Sequence, residues 1–386
     1  MYNKRFVFWA ACIGILFFGM AITTLGSVVP DLRERFQLNE ISSGTLFSIL
    51  PLGLLTGSLF FGPFCDRYGY RVLLALACIS MFLGFEGIAY APTHFVLKVS
   101  VFLFGLGGGA INGAASALVS DISEKDKGAN LSLLGVFFAI GALGMPFILG
   151  VLKGIFTYQT ILSIVGIATF LVAVFYLSIR FPPAKQAASL PLNRYFSLLT
   201  DKTLLLIGFF LFFQSAFEGI INNWTTTYLM EVISIEPQKA LYALSLSVVG
   251  MTVMRLLLGS VFRNTALKYI WSISFSLLFF GLIFMSISNT FFGAVTGLFL
   301  VGAGLAAGFP IMLGVVGHLY KELSGTAFSV VFVMALTGNM LINYGVGFIF
   351  QFVGVRHLVT VGFIELLLMG ILCLVILKRT HLINKT

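Results

Sequence analysis

Apolar residues fill twelve long runs of the chain, and short polar segments separate each run from the next. A helix needs about 20 apolar residues to cross the hydrocarbon core of a bilayer, and each run has about that length or more. Lipid cannot satisfy an open sheet edge, so runs of this kind predict helices and not strands. The predicted spans are 6–29, 43–65, 71–90, 95–120, 128–152, 157–179, 203–229, 238–262, 268–288, 291–319, 324–350 and 355–377. The pattern therefore predicts an all-α membrane protein with 12 transmembrane helices.

Glycines recur at one fixed offset along almost the whole chain. Eight glycines of the first half have a glycine 197 residues later: 53/250, 62/259, 84/281, 105/302, 107/304, 128/325, 141/338 and 150/347. Such an offset indicates a tandem duplication with six spans in each copy. Because an even number of spans precedes the second copy, the two six-helix repeats are parallel and related by an axis along the membrane normal.

The longest polar segment lies between the repeats and contains Pro182, Pro183 and Pro191. We expect an N-terminal six-helix bundle over 1–180, a cytoplasmic linker over 181–202 and a C-terminal bundle over 203–386. Placing both termini in the cytoplasm leaves only five basic residues in the outer loops, namely Arg33, Arg35, Lys153, Lys239 and Arg356. This agrees with the positive-inside rule.

Composition supports the membrane assignment and narrows the function. Charged residues make up 10% of the chain and hydrophobic residues 59%, whereas soluble domains have about 25% charged residues. The net charge of +9 follows from the topology and does not indicate a nucleic-acid partner. The four cysteines form no CxxC pair, so neither a disulfide framework nor a metal site is indicated.

No catalytic motif interrupts the apolar runs. The chain has no HExxH sequence, no phosphate-binding P-loop and no nucleophile elbow, so we expect neither an enzyme nor a cofactor. A duplicated, strongly apolar chain is typical of a transporter whose halves rock about a central site. Without an ATP-binding motif, uphill transport would require an ion gradient.

The segment after the second span carries the most specific motif. It reads Gly62-Pro63-Phe64-Cys65-Asp66-Arg67-Tyr68-Gly69-Tyr70-Arg71 and resembles the G-x-x-x-D-R-x-G-x-R signature of the major facilitator superfamily. The resemblance implies the major facilitator fold, alternating access and a monomer. It also implies that five residues latch the cytoplasmic side of the outward-open state: Gly62, Asp66, Arg67, Gly69 and Arg71. A tight charged turn that only follows the positive-inside rule is the alternative. The second repeat keeps Gly259 but has Arg263 in place of the acid, so its latch is expected to be degenerate.

Polar residues within spans are costly and mark candidate functional positions. In the seventh span, Gln214, Glu218 and Asn222 lie four residues apart and therefore on one helix face, next to Asn223 and Trp224. Carboxylate, amides and indole suit a polyhydroxylated ligand, and a carboxylate surrounded by hydrocarbon can exchange a proton near neutral pH. This span resembles the seventh helix of fucose permease-like sugar–proton symporters. If the protein is a proton symporter, its coupling residue is predicted to be Glu218. A buried cluster that only packs helices together is the alternative.

That symporter group carries acids in its first and fourth helices, and this chain departs from it there. The first span has Thr23, Thr24 and Ser27 but no acid, and the fourth has only Asp121 at its end. Coupling to Na⁺, or no coupling, therefore stays open.

Further candidates lie on other spans. Asn112 of the fourth span, and Asn339 and Asn343 of the eleventh, are predicted substrate contacts. Arg255 is expected in the cytoplasmic half of the eighth span, too far from Glu218 to pair with it, bonded to helix-end carbonyls or to an acid near the inner gate. Structural roles are expected for Glu86, Glu365 and His318.

The sequence is thus interpreted as a bacterial inner-membrane secondary transporter, a proton-coupled importer of a sugar or similar small polar solute. A proton-driven exporter of drugs or lipids is the main alternative. Exporters of this superfamily carry an adjacent Gly-Pro pair in the fifth span, and here Gly144-Met145-Pro146 breaks that pair. A receptor that binds a ligand without moving it is a further alternative.

Overall fold

The computed structural model describes residues 2–123, 127–182, 200–262, 265–288, 290–320 and 324–380. These residues form helices and contain no strand. The helices are Lys4–Phe36, Glu40–Tyr90, His94–Ile122, Lys127–Leu152, Tyr158–Ser178, Lys202–Glu231, Pro237–Gly259, Leu267–Ile287, Phe291–Leu305, Gly308–Leu319, Ser324–Val353 and Leu358–Thr380, the last preceded by a 3-10 turn at Val355–His357.

Twelve segments of the described helices are long and apolar enough to cross a membrane, which confirms the predicted fold class. We number them as spans in chain order. The second and third spans are parts of one helical run, Glu40–Tyr90, and the tenth is Phe291–Gly317. Most of the predicted linker, residues 183–199, lies outside the described residues.

The run Glu40–Tyr90 changes its backbone conformation at Gly69, where φ is 79°. Residues with a Cβ rarely adopt this conformation, and glycine does so without steric cost. The positive φ at Gly69 therefore explains why the signature motif has a glycine at this position.

The tenth span is interrupted in the middle, which the sequence analysis did not predict. Its first helix ends at Leu305 and its second begins at Gly308. The run is apolar on both sides of the interruption, so hydrophobicity alone gives no sign of it.

The chain divides into two compact units, Met1–Ala188 and Ser189–Thr386. In the N-terminal unit, the second and fourth spans touch through glycines. A Cβ on Gly53 would collide with the backbone of Phe102, and a Cβ on Gly105 would collide with the carbonyl oxygen of Leu50. Small residues at such positions let membrane helices approach closely.

The C-terminal unit repeats this contact 197 residues later. A Cβ on Gly250 of the eighth span would collide with the carbonyl oxygen of Phe299, and one on Gly302 of the tenth span with that of Ser247. The same helix contact in each unit gives a physical reason for two of the repeated glycine pairs.

Candidate functional site

The polar face of the seventh span contains one side chain that is hydrogen-bonded within the described part of the protein and two that are not. The side chain of Gln214 is buried, and its Nε2 donates a 2.8 Å hydrogen bond to the carbonyl oxygen of Leu305. Glu218 and Asn222 are half-buried, and neither makes a hydrogen bond with any described residue. Of this predicted set, Glu218 and Asn222 therefore have polar groups available for a ligand.

The bond from Gln214 reaches the interruption of the tenth span. A helix that ends leaves its last carbonyl groups without N–H partners, and Gln214 satisfies the carbonyl of Leu305. Its side chain also occupies the space where a Cβ on Gly308 would lie. Gln214 thus contacts the interruption from a position one helical turn before Glu218 on the seventh span.

Asparagines of the seventh and eleventh spans form a chain of amide hydrogen bonds. Asn223 Nδ2 donates to Asn343 Oδ1 at 3.1 Å, and Asn343 Nδ2 donates to Asn339 Oδ1 at 3.0 Å. Asn339 Nδ2 donates to the backbone oxygen of Ser215 at 2.9 Å. The chain passes over Gly219, which lacks the side chain that would displace it. It joins the two spans inside the C-terminal unit.

Two other predicted contact residues differ strongly in exposure. Trp224 is fully buried and packs edge-to-face on Phe350, with ring centroids 5.0 Å apart. Its ring faces are therefore not open to a sugar in this structure. Asn112 belongs to the N-terminal unit, where its side chain is exposed.

Arg255 lies near this site without pairing directly with Glu218, as the sequence analysis expected. It is half-buried in the eighth span, and its positive charge acts on the Glu218 carboxyl group, although no close ion pair joins these two described residues. Measured from the turn that joins the two spans, Glu218 lies about 20 Å back and Arg255 about 27 Å back along straight helices. Their depths therefore differ by about 7 Å, which agrees with an influence of the charge but no close ion pair.

The described part of the signature motif bonds to other helices at one end of the N-terminal unit. Arg71 Nη2 donates to the carbonyl oxygen of Leu177, in the last turn of the sixth span. The hydroxyl of Tyr70 donates to Asp121 Oδ2 at 2.8 Å. The surroundings of Gly62 and the side chains of Pro63, Asp66 and Arg67 lie outside the described set, and so do Arg263 and Asn264 of the counterpart segment.

A different cluster joins helix ends in the C-terminal unit. Asp201 caps the seventh span by accepting 2.8 Å hydrogen bonds from the N–H groups of Thr203 and Leu204. It also accepts a bond from the Tyr320 hydroxyl at 2.5 Å, while Arg379 donates to the Thr203 hydroxyl. Burial opposes ionisation of Asp201, but the hydrogen bonds and the charge of Arg379 outweigh it and lower its pKa below 3.8. Burial and the bond to Asp201 raise the pKa of Tyr320.

Of the three residues with expected structural roles, Glu86 is the one whose described bonds support that role. Glu86 accepts from the Ser163 hydroxyl at 2.7 Å and 2.8 Å, which ties the third span to the sixth. Glu365 is buried, and one of its carboxyl oxygens has no partner among the described residues. The side chain of His318 is not described.

Comparison with known proteins identifies the class. Residues 11–343 match the family model described as Major Facilitator Superfamily. The protein therefore belongs to the major facilitator superfamily and is a membrane transporter, not an enzyme, as predicted.

Individual relatives are distant in sequence, and their names refer to different transported substrates. The glucose/mannose transporter GlcP of Bacillus subtilis is 25% identical over 85% of this chain and 84% of its own. The D-xylose transporter of Levilactobacillus brevis is 27% identical over 34% of this chain, and the match spans 29% of the relative. The multidrug resistance protein MdtG of Proteus mirabilis is 26% identical over 52% of this chain and 54% of its own.

Solved structures agree on the fold. A bacterial homolog of the human lysosomal transporter Spinster, in an inward-facing and occupied conformation, has a TM-score of 0.82 at 12% identity and covers 97% of each chain. A D-xylose–proton symporter has a TM-score of 0.75 at 13% identity, covering 95% of this chain and 97% of its own. At such identities the likeness establishes the fold alone. Twelve spans and bacterial relatives fit a multi-pass inner-membrane protein.

Proposed function

We propose that this transporter imports a sugar or similar small polar solute by alternating access, driven by a proton that enters with it. The observation that carries the proposal is the state of Glu218. It is a half-buried carboxyl group inside a span, without a hydrogen bond to any described residue, beside the equally available amide of Asn222. A group that only holds helices together would be bonded, as Glu86 is to Ser163.

The other predicted residues take their places around this pair. Asn112 stays a predicted substrate contact in the N-terminal half. Gln214, Asn223, Asn339, Asn343 and Trp224 stay predictions as direct contacts. Their hydrogen bonds and packing support the further role of holding the seventh span in place.

The remaining features of the proposal follow from topology. Both termini face the cytoplasm, the residues over 181–202 link two six-helix bundles, and the protein works as a monomer. The signature motif latches the cytoplasmic side, with Gly69 setting its turn and Arg71 holding the end of the sixth span. Residues Gly62, Asp66 and Arg67 complete the proposed latch.

Similarity to GlcP and to the xylose transporter supports a sugar as substrate. Similarity to MdtG supports the second candidate, a proton-driven exporter of apolar drugs. A substrate of that kind would not need the available polar groups of Glu218 and Asn222.

Transport by purified protein in liposomes separates these functions. We expect uptake of labelled sugars to rise when the outside is made acidic, and to fall to the facilitated level when the gradient is collapsed. Efflux of hydrophobic cations against a proton gradient, without sugar uptake, would instead identify an exporter. Binding of a sugar without any flux would identify a receptor.

A further inference from the structure

Arg255 is a cation inside an apolar span without a close counter-ion among the described residues. Arginine does not lose its proton in proteins, and a charge within the bilayer costs about 2.5–3.5 kcal/mol on insertion scales. The guanidinium group is half-buried, and it makes no hydrogen bond and no close ion pair with any described residue. Such a group keeps five N–H donors available for a ligand.

Packing places Arg255 beside the interruption of the tenth span. Its neighbour Met254 forms a buried cluster with Ala303 and Ala306, which flank the end of the first helix at Leu305. Gln214 reaches the same end from the seventh span, one turn before Glu218. The available cation, the available carboxyl group and the broken helix therefore belong to one region of the C-terminal unit.

The charge balance of this region is simple. The positive charge of Arg255 acts electrostatically on the carboxyl group of Glu218. The eleventh span has no ionisable residue other than Tyr344. The other titratable residues on the seventh span and on the helices packed around it are Lys202, Tyr228, Glu231, Lys239, Tyr242, His318, Arg356, His357, Glu365, Cys373, Lys378 and Arg379. None of the described ones is a hydrogen-bond partner of Glu218 or Arg255. With Glu218 ionised the pair is neutral, and with Glu218 protonated it carries one uncompensated positive charge.

The geometry points to a carboxylate-bearing, polyhydroxylated solute, a sugar acid, whose carboxylate binds Arg255 while the co-transported proton is held by Glu218. This inference rests on the proposed function and names its substrate class. A guanidinium group binds carboxylates with two parallel hydrogen bonds, so Arg255 offers the matching fork. Asn222 provides an amide for the hydroxyl groups.

Electrostatics would then couple the two ligands. An ionised Glu218 repels the incoming anion and competes for Arg255, whereas a protonated Glu218 does neither. Anion affinity therefore rises as the pH falls, and the bound anion in turn raises proton affinity at Glu218 by the same factor. One proton moves with one monoanion, so the net charge carried per cycle is zero.

Matched pairs of ligands test binding. The probes are D-glucuronate with D-glucose, D-galacturonate with D-galactose, and D-gluconate with sorbitol, measured by thermal shift and calorimetry on the full-length protein in detergent at pH 5.5 and 7.5. We expect at least one acid to bind more tightly than its neutral partner, and more tightly at pH 5.5. Arg255→Gln should weaken that acid about 10- to 100-fold, the loss typical of a charged hydrogen bond.

Two further variants separate a binding role from a structural one. Glu218→Gln mimics the protonated group and should keep acid binding while losing its pH dependence. Lys268→Gln removes the same charge from an exposed position of the same unit and should change nothing. Melting of each variant without ligand identifies any loss of folding.

Transport in liposomes gives a second readout. Uptake of a labelled sugar acid should respond to a pH gradient but not to a potassium diffusion potential, because the cycle moves no net charge. A neutral sugar with one proton would respond to both. If a neutral sugar is taken up with the proton and Arg255→Gln leaves its binding unchanged, the inference is wrong while the proposed function stands. If no probe binds or moves at either pH, both are rejected.

Discussion

The amide chain between the seventh and eleventh spans yields a sharp prediction about Gly219. A methyl group at this position would lie 2.6 Å from Asn339 Oδ1 and 2.7 Å from Asn343 Nδ2. Both atoms are closer than real Cβ contacts allow, so Gly219→Ala must push the two asparagine amides away. Asn343 is fully buried and has little room to find other partners.

The expected loss follows from the bonds that are displaced. Two hydrogen bonds contribute about 1 kcal/mol each, and a buried amide left without a partner costs about 1–3 kcal/mol. Replacing glycine by alanine within a helix stabilises the folded state by about 1 kcal/mol through helix propensity. We therefore expect Gly219→Ala to lower the free energy of unfolding by about 2–4 kcal/mol.

Gly345 is a matched control on the eleventh span, because a Cβ there would meet no atom within 4 Å. Gly345→Ala should raise stability by up to about 1 kcal/mol through helix propensity alone. Reversible unfolding in mixed SDS micelles measures both variants. A Gly219→Ala protein as stable as wild type, or as stable as Gly345→Ala, would refute the amide chain as described.

Three further predictions concern the Asp201–Tyr320 cluster, the interruption of the tenth span and the turn at Gly69. Asp201→Asn should make the melting temperature fall less between about pH 5 and pH 3. The reason is that the fold lowers the pKa of Asp201 from 3.8, so the ionised carboxylate stabilises the folded state above that pH. This stabilisation is lost as the pH falls and the carboxylate is protonated. Tyr320→Phe should weaken the same pH dependence, and an unchanged profile in both variants would remove the cluster from the account. Gln214→Leu should cost about 1–3 kcal/mol in unfolding free energy, since the carbonyl of Leu305 would lose its partner; equal stability would show that another group satisfies that carbonyl. Gly69→Ala should cost about 1–2 kcal/mol because of the positive φ, and an alanine variant that melts with wild type would contradict that backbone conformation.

The fold was predictable because lipid leaves so few solutions. An apolar run of about 20 residues in a membrane protein must be a helix, whatever its neighbours are. The interruption after Leu305 was missed for the same reason, because Ala306 and Ala307 are as apolar as the helices on either side. The local sign of the interruption was Pro310, which lacks the N–H that would bond the carbonyl of Ala306. The contact that satisfies the carbonyl of Leu305 comes from Gln214, which no local pattern encodes.

The site was only partly predictable. Helical spacing placed Gln214, Glu218 and Asn222 on one face, but spacing does not say which side chains are already bonded within the protein. The tertiary structure distinguishes the bonded Gln214 from the available Glu218 and Asn222. Arg255 makes no direct pair with Glu218, as expected, but spacing within one span could not show that its charge reaches that carboxyl group.

The central claim is that Glu218 carries the proton that drives uptake, and one measurement tests it most directly. Liposomes that contain wild type, Glu218→Gln or Glu86→Gln are given an inward proton gradient, and the accumulation ratio of the transported solute is measured at steady state. Wild type and Glu86→Gln should accumulate the solute above the external concentration, while Glu218→Gln should only equilibrate it. Undiminished accumulation by Glu218→Gln would contradict the account.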